Sequence, residues 1–344
     1  MSGPRARRRD PAAPFPPDER SGFLLLDKSP GHTSFEALGL VKRALGTGRV
    51  GHTGTLDRFA SGLLIALVGR ATRLSPWISH CDKTYLGAVL FGTETDTLDP
   101  EGSVVARGPL PSRQRLEEAL SRFRGQILQT PPVYSAIHVE GRRASERARS
   151  GETPELKARP VSIHELELVA WEPPLARLRV RCSGGTYIRS LARDLALAAG
   201  SRAHLVELRR LAVAAFSVEE ALPPDCDPGS YAAALRPLDR TLFEGLGIPR
   251  LNAGEEALLP MIRGRPLGPL LAALEPEGAG DPGAGNRGAG EAVAVFAGER
   301  FAGIVERSGG APWRYGFVYA QNSARISGQI PERLPGPGGS HADP

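Results

Sequence analysis

Asp57 is the side chain best placed to do chemistry. It is the only acid in GHTGTLDRFASG, residues 51–62, a run that also holds Gly51, Gly54 and Gly62. The run joins a helix-like segment to a strand-like one. Glycines let backbone close around a ligand, and loops carried on a rigid scaffold often present reactive groups. A carboxylate presented this way can act as a nucleophile. For that it must be ionised: burial raises a carboxyl pKa and a neighbouring cation lowers it. The local alternative is a turn former or a helix N-cap, and the loop by itself does not separate the two.

The remaining reactive residue types narrow the chemistry. Cys81, Cys182 and Cys226 lack metal-ligand spacing, and an odd count argues against a disulfide framework. The seven histidines do not cluster with them. These counts predict a reducing, cytoplasmic compartment and no structural metal. No Walker A loop and no GxGxxG between strand and helix is present, so no cofactor is expected. No apolar run reaches the ~18 residues of a membrane span, and the Arg- and Pro-rich first twenty residues lack the apolar stretch of a secretory signal. The net charge of 43 − 38 = +5 leans toward a polyanionic partner. Lys28, Lys42, Lys83 and Lys157 are the only lysines. Arginine suits phosphate forks and base stacking, although a G- and C-rich genome would give the same bias.

At 344 residues, about two domains are expected. Gly22–Lys28 reads as a strand. Ser34–Leu45 reads as a helix capped by Thr33 or Ser34, with Phe35, Leu38, Val41 and Leu45 on its inner face. After the Asp57 loop come a buried strand at Leu63–Val68 and a short helix at Thr72–Ile78. A strand at Thr84–Phe91 follows, with Ser103–Ala106 as its return partner. Next are a helix at Ser112–Phe123, a strand at Val133–Val139 and a basic helix at Arg142–Ser150. Leu178, Val180 and Cys182 alternate with Arg177, Arg179 and Arg181, as in a half-exposed strand. Thr186–Ala199 carries Ile188, Leu191, Ala192 and Leu195 at helical spacing. Strands and helices mix without a βαβ rhythm, which predicts an α+β fold around a mostly antiparallel mixed central sheet flanked by helices. Three short strands at Ala292–Phe296, Phe301–Val305 and Phe317–Tyr319 predict a small β-rich C-terminal domain. The expected boundaries are a tail at 1–20, a catalytic domain at 21–247, a second domain at 248–324 with a Gly/Ala/Pro-rich insertion at 267–290, and a tail at 325–344.

Five blocks in order carry a family resemblance. They are LLLDKSPGHTS (24–34), the Asp57 loop, KTYLGAVLFGTETDTLDPEG (83–102), GQILQTPPVYSAIHVEGRR (125–143), and CSGGTYIRSLARDL with HLVELRRLAVAAF (182–195 and 204–216). Together they resemble the bacterial tRNA pseudouridine synthase B family. Residues 248–320 are more weakly similar to that family's PUA-like RNA-binding domain. The resemblance implies the pseudouridine synthase fold, no cofactor, and conversion of uridine to pseudouridine at position 55 in the TΨC loop of tRNA. It implies Asp57 as nucleophile, Arg189 as its cationic partner and Tyr85 as the ring that stacks on the base and serves proton transfer at carbon. His52 resembles the residue that fills the vacated stack. Lys28 would buttress the loop, and Tyr187 and Leu208 would line the pocket. It further implies a stand-alone enzyme acting on the T-arm, with no guide RNA, no obligatory protein partner and no need for more than a monomer.

The chain departs from the family at Arg58 and Ser29, where proline is usual, and at His138 and Ser145, where lysine and tyrosine are common. Loss of proline frees the backbone at 58, so other contacts must hold the loop. Lys28, Lys83, Arg142, Arg143, Arg147, Arg209 and Arg210 are candidate phosphate contacts, as is Arg58. Two other readings stand beside the first: an RNA-folding module in which catalysis is secondary, and a guide-RNA-dependent synthase. The long segments at 83–150 resemble insertions of the stand-alone enzymes.

Overall fold

The computed structural model describes residues 21–139, 141–254, 258, 260–261, 291–308 and 311–319. The expected tails and the insertion at 267–290 lie outside these residues. Strand β1 (Gly22–Lys28) leads to helix α1 (Ser34–Leu45), then β2 (Val50–His52) and β3 (Ser61–Val68). Helix α2 (Ser75–Ser79), β4 (Lys83–Phe91), the short β5 (Thr93–Thr95) and β6 (Val104–Arg107), and α3 (Arg113–Arg122) follow. Next come β7 (Gly125–Gln129), β8 (His138–Val139), β9 (Arg142–Arg143), α4 (Ala144–Arg149), β10 (Arg159–Glu172) and β11 (Leu175–Cys182). Helix α5 (Ile188–Ala198), β12 (Ala203–Val213), β13 (Phe216–Ser217), α6 (Pro228–Ala233) and α7 (Arg240–Gly245) complete the larger part. The C-terminal sheet holds β14 (Arg250–Asn252), β15 (Glu291–Ala297), β16 (Arg300–Arg307) and β17 (Arg314–Val318).

The central sheet runs β1-β3-β12-β4-β11-β10-β7, with β2 on β3 and β13 on β12. Every pairing in it is antiparallel except that of β3 with β12. This is the α+β architecture expected. Alternation divides the faces. Leu24, Leu26, Leu64, Ala66, Tyr85, Val89, Leu178 and Val180 face a core closed by α1, α3 and α5. Phe23, Leu25, Leu63, Ile65 and Leu67 face the opposite way, into a core shared with the C-terminal Phe296, Phe301, Ile304 and Phe317.

The sheet forks beside the Asp57 loop. At its far end β3 pairs with β2, from Val68 opposite Val50 to Ala66 opposite His52. At its near end the same edge pairs with β12, only at Ser61 with Arg209 and Gly62 with Arg210. Residues 53–60 occupy the opening between these two partners. Gly62 makes the close approach feasible: its φ is +103°, and a Cβ there would sit 2.2 Å from the Arg210 carbonyl oxygen.

Several expected elements are corrected. Thr33 caps α1 with a full capping box, but Phe35 lies in the first turn and points outward, 71% exposed, under the Lys42 ammonium. The strand expected at 133–139 survives only as β8, because the backbone after Pro131 and Pro132 turns its Tyr134 carbonyl toward Arg189 instead of into a ladder. Residues 142–150 begin as a hairpin strand before the helix forms. Residues 104–107 pair with β5 and not with β4, whose edges are filled by β11 and β12.

Candidate active site

Asp57 reaches its position through a tightly braced loop. Ser34 at the start of α1 accepts from the Leu56 N–H at 2.9 Å and donates to the Leu56 carbonyl at 3.2 Å. The Arg58 Nε donates to Gly31 O at 2.9 Å, and the Gly31 N–H donates back to Arg58 O at 2.8 Å. Arg58 thus ties the loop to the 29–33 turn, in place of the stiffness a proline would supply. Lys28, 2% exposed, donates from beneath to Ser29 O and His32 O at 2.9 and 2.7 Å. Burial pulls its ammonium down to about 8, against the raising effect of Asp57.

Arg189 arrives from the first turn of α5, 4% exposed. Its Nη2 donates to Asp57 Oδ1 at 3.0 Å, and its Nε lies 2.9 Å from Oδ2. One hydrogen bond and a second close charge contact, the Nε itself making no hydrogen bond, hold the carboxylate against the guanidinium. The rest of the guanidinium is spoken for: Nη1 donates to Thr97 O at 2.7 Å and Asp99 Oδ2 at 3.2 Å, and Nη2 also donates to Tyr134 O at 3.0 Å. Burial pushes the Asp57 carboxyl above its ordinary value. Arg189 pulls against that push, and the Asp99 charge adds to it. The side chain still keeps 35% of its surface open, so the carboxylate is both held and reachable.

Tyr85 lies on β4, buried, with its side chain in the core that also takes Leu56 and Ala60 of the Asp57 loop. Burial pushes its phenol up, and the Arg210 guanidinium beside it pulls it down. Leu208 packs in the same core, opposite Gly87 in the β4–β12 ladder and two positions from the Arg210–Tyr85 pair. His52 closes β2: its Nδ1 accepts from the Gly54 N–H at 3.3 Å. Burial first, then Arg210, holds its imidazole below the ordinary range, which leaves a neutral ring. Tyr187 is placed differently. Its ring faces the Arg159 guanidinium at 5.1 Å, and its backbone exchanges two hydrogen bonds with the Gln129 amide.

Three of the candidate phosphate contacts are buried and cannot serve as such: Lys28, Lys83 and Arg210. Lys83 donates to Ser79 O and Cys81 O, and Arg210 to Leu63 O and Gly54 O. Arg209 pairs with Asp27 on the opposite sheet face. Arg142 and Arg147 share Glu152 and remain at the surface, as does Arg143. Arg58 spends its Nε within the loop.

Asp99 escaped the sequence reading. It is buried, accepts from Thr97 Oγ1 and the Glu101 N–H, and supplies the second carboxylate on Arg189. The only trace of it in the sequence is the TDTLDPEG turn, where several acids compete and nothing distinguishes the one that faces inward.

The family description "TruB family pseudouridylate synthase (N terminal domain)" matches residues 42–188. The "tRNA pseudouridine synthase B" of Azoarcus sp. (strain BH72) is 41% identical over 296 residues, covering 84% of this chain and 92% of that protein. The protein of the same name from Zymomonas mobilis subsp. mobilis is 40% identical over 265 residues, 74% of this chain and 86% of its own. Among solved structures, "Crystal Structure of a Cbf5-Nop10-Gar1 Complex" superposes with a TM-score of 0.61 at 22% identity, covering 91% of this chain and 90% of that one, a likeness of fold. With its pseudouridine synthase fold and its match to relatives along most of their length, the chain belongs to the tRNA pseudouridine synthase B family.

Proposed function

We propose that this protein isomerises uridine to pseudouridine at position 55 in the TΨC loop of tRNA. The observation that carries the reading is the Asp57–Arg189 ion pair, a reachable carboxylate held by a buried guanidinium. The reaction breaks the N1–C1′ bond and makes a C5–C1′ bond. N1 gains a proton and C5 loses one, so no redox partner and no imported group is needed. Asp57 supplies the nucleophile, for which C6 of the ring and C1′ of the ribose are the two electrophilic carbons. Tyr85 stacks on the ring and lends its hydroxyl to relay the C5 proton to solvent water, which supplies the proton that N1 gains. Arg189 pulls the carboxyl back toward its ionised form against the upward push of burial.

The target base lies in a folded loop and must be extruded, at a cost of about a few kcal/mol. His52, neutral and at the edge of the site, fills the gap left behind. Leu208 and Tyr187 line the pocket. The C-terminal strands form a PUA-like RNA-binding domain, and the catalytic domain spans residues 21–247. One chain suffices, with the T-arm as substrate and no guide RNA or partner protein, in the cytoplasmic compartment. No helix among the described residues is long and apolar enough to cross a membrane.

The test is product formation on a T-arm hairpin. Wild type should convert the target uridine, and Asp57→Asn should lose at least about 1,000-fold in single-turnover rate while still binding the hairpin. Full activity in Asp57→Asn, with unchanged binding, would instead favour an RNA-folding module.

A further inference from the structure

Among the described residues, Arg210 is a buried cation with no carboxylate partner. It is 2% exposed and donates to two backbone carbonyls, Leu63 O at 2.6 Å and Gly54 O at 3.1 Å, with the Tyr85 hydroxyl as a further hydrogen-bond partner. A buried guanidinium without an opposite charge is costly, and here the cost is compounded. The charges of Lys28, Lys83 and His52 are all disfavoured by it. Something in the fold must require it.

Its position explains what. The backbone of Arg210 pairs on one side with Gly62 of β3 and on the other with Tyr85 of β4. It therefore sits at the point where the sheet forks, with the Asp57 loop in the opening. Its side chain reaches into that opening and holds both ends of the loop: Gly54, just after β2, and Leu63, just inside β3. Its Nη1 and the Lys83 Cε would each lie 3.6 Å from a Cβ at Gly54, so the loop's first turn rests on these two stems. One residue thus touches the strand that carries Tyr85 and both ends of the loop that carries Asp57.

We infer that Arg210 is a positioning residue for the isomerisation, a strap that closes the Asp57 loop across the fork and sets its distance from Tyr85. A lysine would keep the charge but not the planar fork that spans two carbonyls. The inference rests on the proposed reading of the site, and its test has an arm that does not.

The experiment compares wild type with Arg210→Lys and Arg210→Gln in the full chain. Single-turnover rates on a T-arm hairpin should fall on the order of 100-fold in Arg210→Gln and about tenfold in Arg210→Lys, since a small misplacement of reacting groups costs that much. The hairpin dissociation constant should stay within about threefold of wild type. Hydrogen exchange of residues 53–62 should accelerate at least about tenfold in both variants, while α5 keeps its protection. A wild-type rate constant in either variant overturns the inference. So does a reduced active fraction that reacts at the wild-type rate, which marks a role in folding alone. The exchange arm needs no catalysis: if wild type makes no pseudouridine, the proposed function fails, whereas unchanged exchange at 53–62 sinks the strap by itself.

Discussion

The site turns on three charges in contact: Asp57, Arg189 and Asp99. Asp57 faces opposing influences, with burial and Asp99 pushing its carboxyl up and Arg189 pulling it down. The net shift is upward, so the ionised, reactive form is lost at a higher pH than for an ordinary aspartate as pH falls. This fixes the sign of two substitutions. Arg189→Gln removes the downward pull, so the acid limb of the single-turnover rate should move toward neutral pH, with a plateau at least about 100-fold lower. Asp99→Asn removes an upward push, so the limb should move to lower pH. Its plateau should still fall about tenfold, because Arg189 loses one of its anchors. A pH–rate profile for the three proteins checks both, and two limbs displaced in the same direction would contradict the account. Asp57 and Arg189 were legible from the sequence as residues within matched motifs. Asp99 was not, because inward orientation in a turn of several acids is set by backbone geometry such as the positive φ of Leu98 between Thr97 and Asp99.

Among the elements, the fork between β3 and β12 matters most. It exists because β12 meets β3 for only two residues, and Gly62 admits the β12 backbone at that point. Gly62→Ala would add a Cβ 2.2 Å from a backbone oxygen at a φ of +103°. Backbone cannot swing aside as a flexible side chain does, so the change should cost at least about 3 kcal/mol. Urea denaturation measures it, and a loss under about 1 kcal/mol would show that the fork tolerates more slack than described. Periodicity found the strands at Gly22–Lys28 and Leu63–Val68 because they are continuous apolar runs. It passed over β10 and β12 for a physical reason. Each carries two register shifts, Ile163/Glu165 and Leu168/Ala170 in one, Leu205/Glu207 and Arg210/Ala212 in the other. A bulge changes which parity faces inward, so the alternation that marks a strand is broken mid-run. With the strand unassigned, nothing told which of the adjacent Arg209 and Arg210, sent to opposite faces by alternation, is the buried one.

Across the whole molecule, the C-terminal sheet is joined to the catalytic body by a common core. Phe301 stacks with Phe243, Phe296 and Tyr319 at 4.4 to 5.6 Å between centroids. That cluster continues into Phe23, Leu25 and Leu63 of the central sheet. Arg70 and Arg73 lie over Tyr319 and Phe317, and Arg70 donates to Val318 O. Phe301→Ala should therefore cost about 3–5 kcal/mol and lower a single cooperative transition. Calorimetry that instead resolves two transitions, with only the smaller one shifted, would show that the two parts unfold separately. The central claim is that the carboxylate held by Arg189 converts one uridine of a folded tRNA. Its most direct test is incubation of the full chain, alone, with an unmodified tRNA transcript, followed by nucleotide-resolution mapping of pseudouridine. The account predicts a stoichiometric product at position 55 with wild type and none with Asp57→Asn; no product from wild type, or the same product from both proteins, would contradict it.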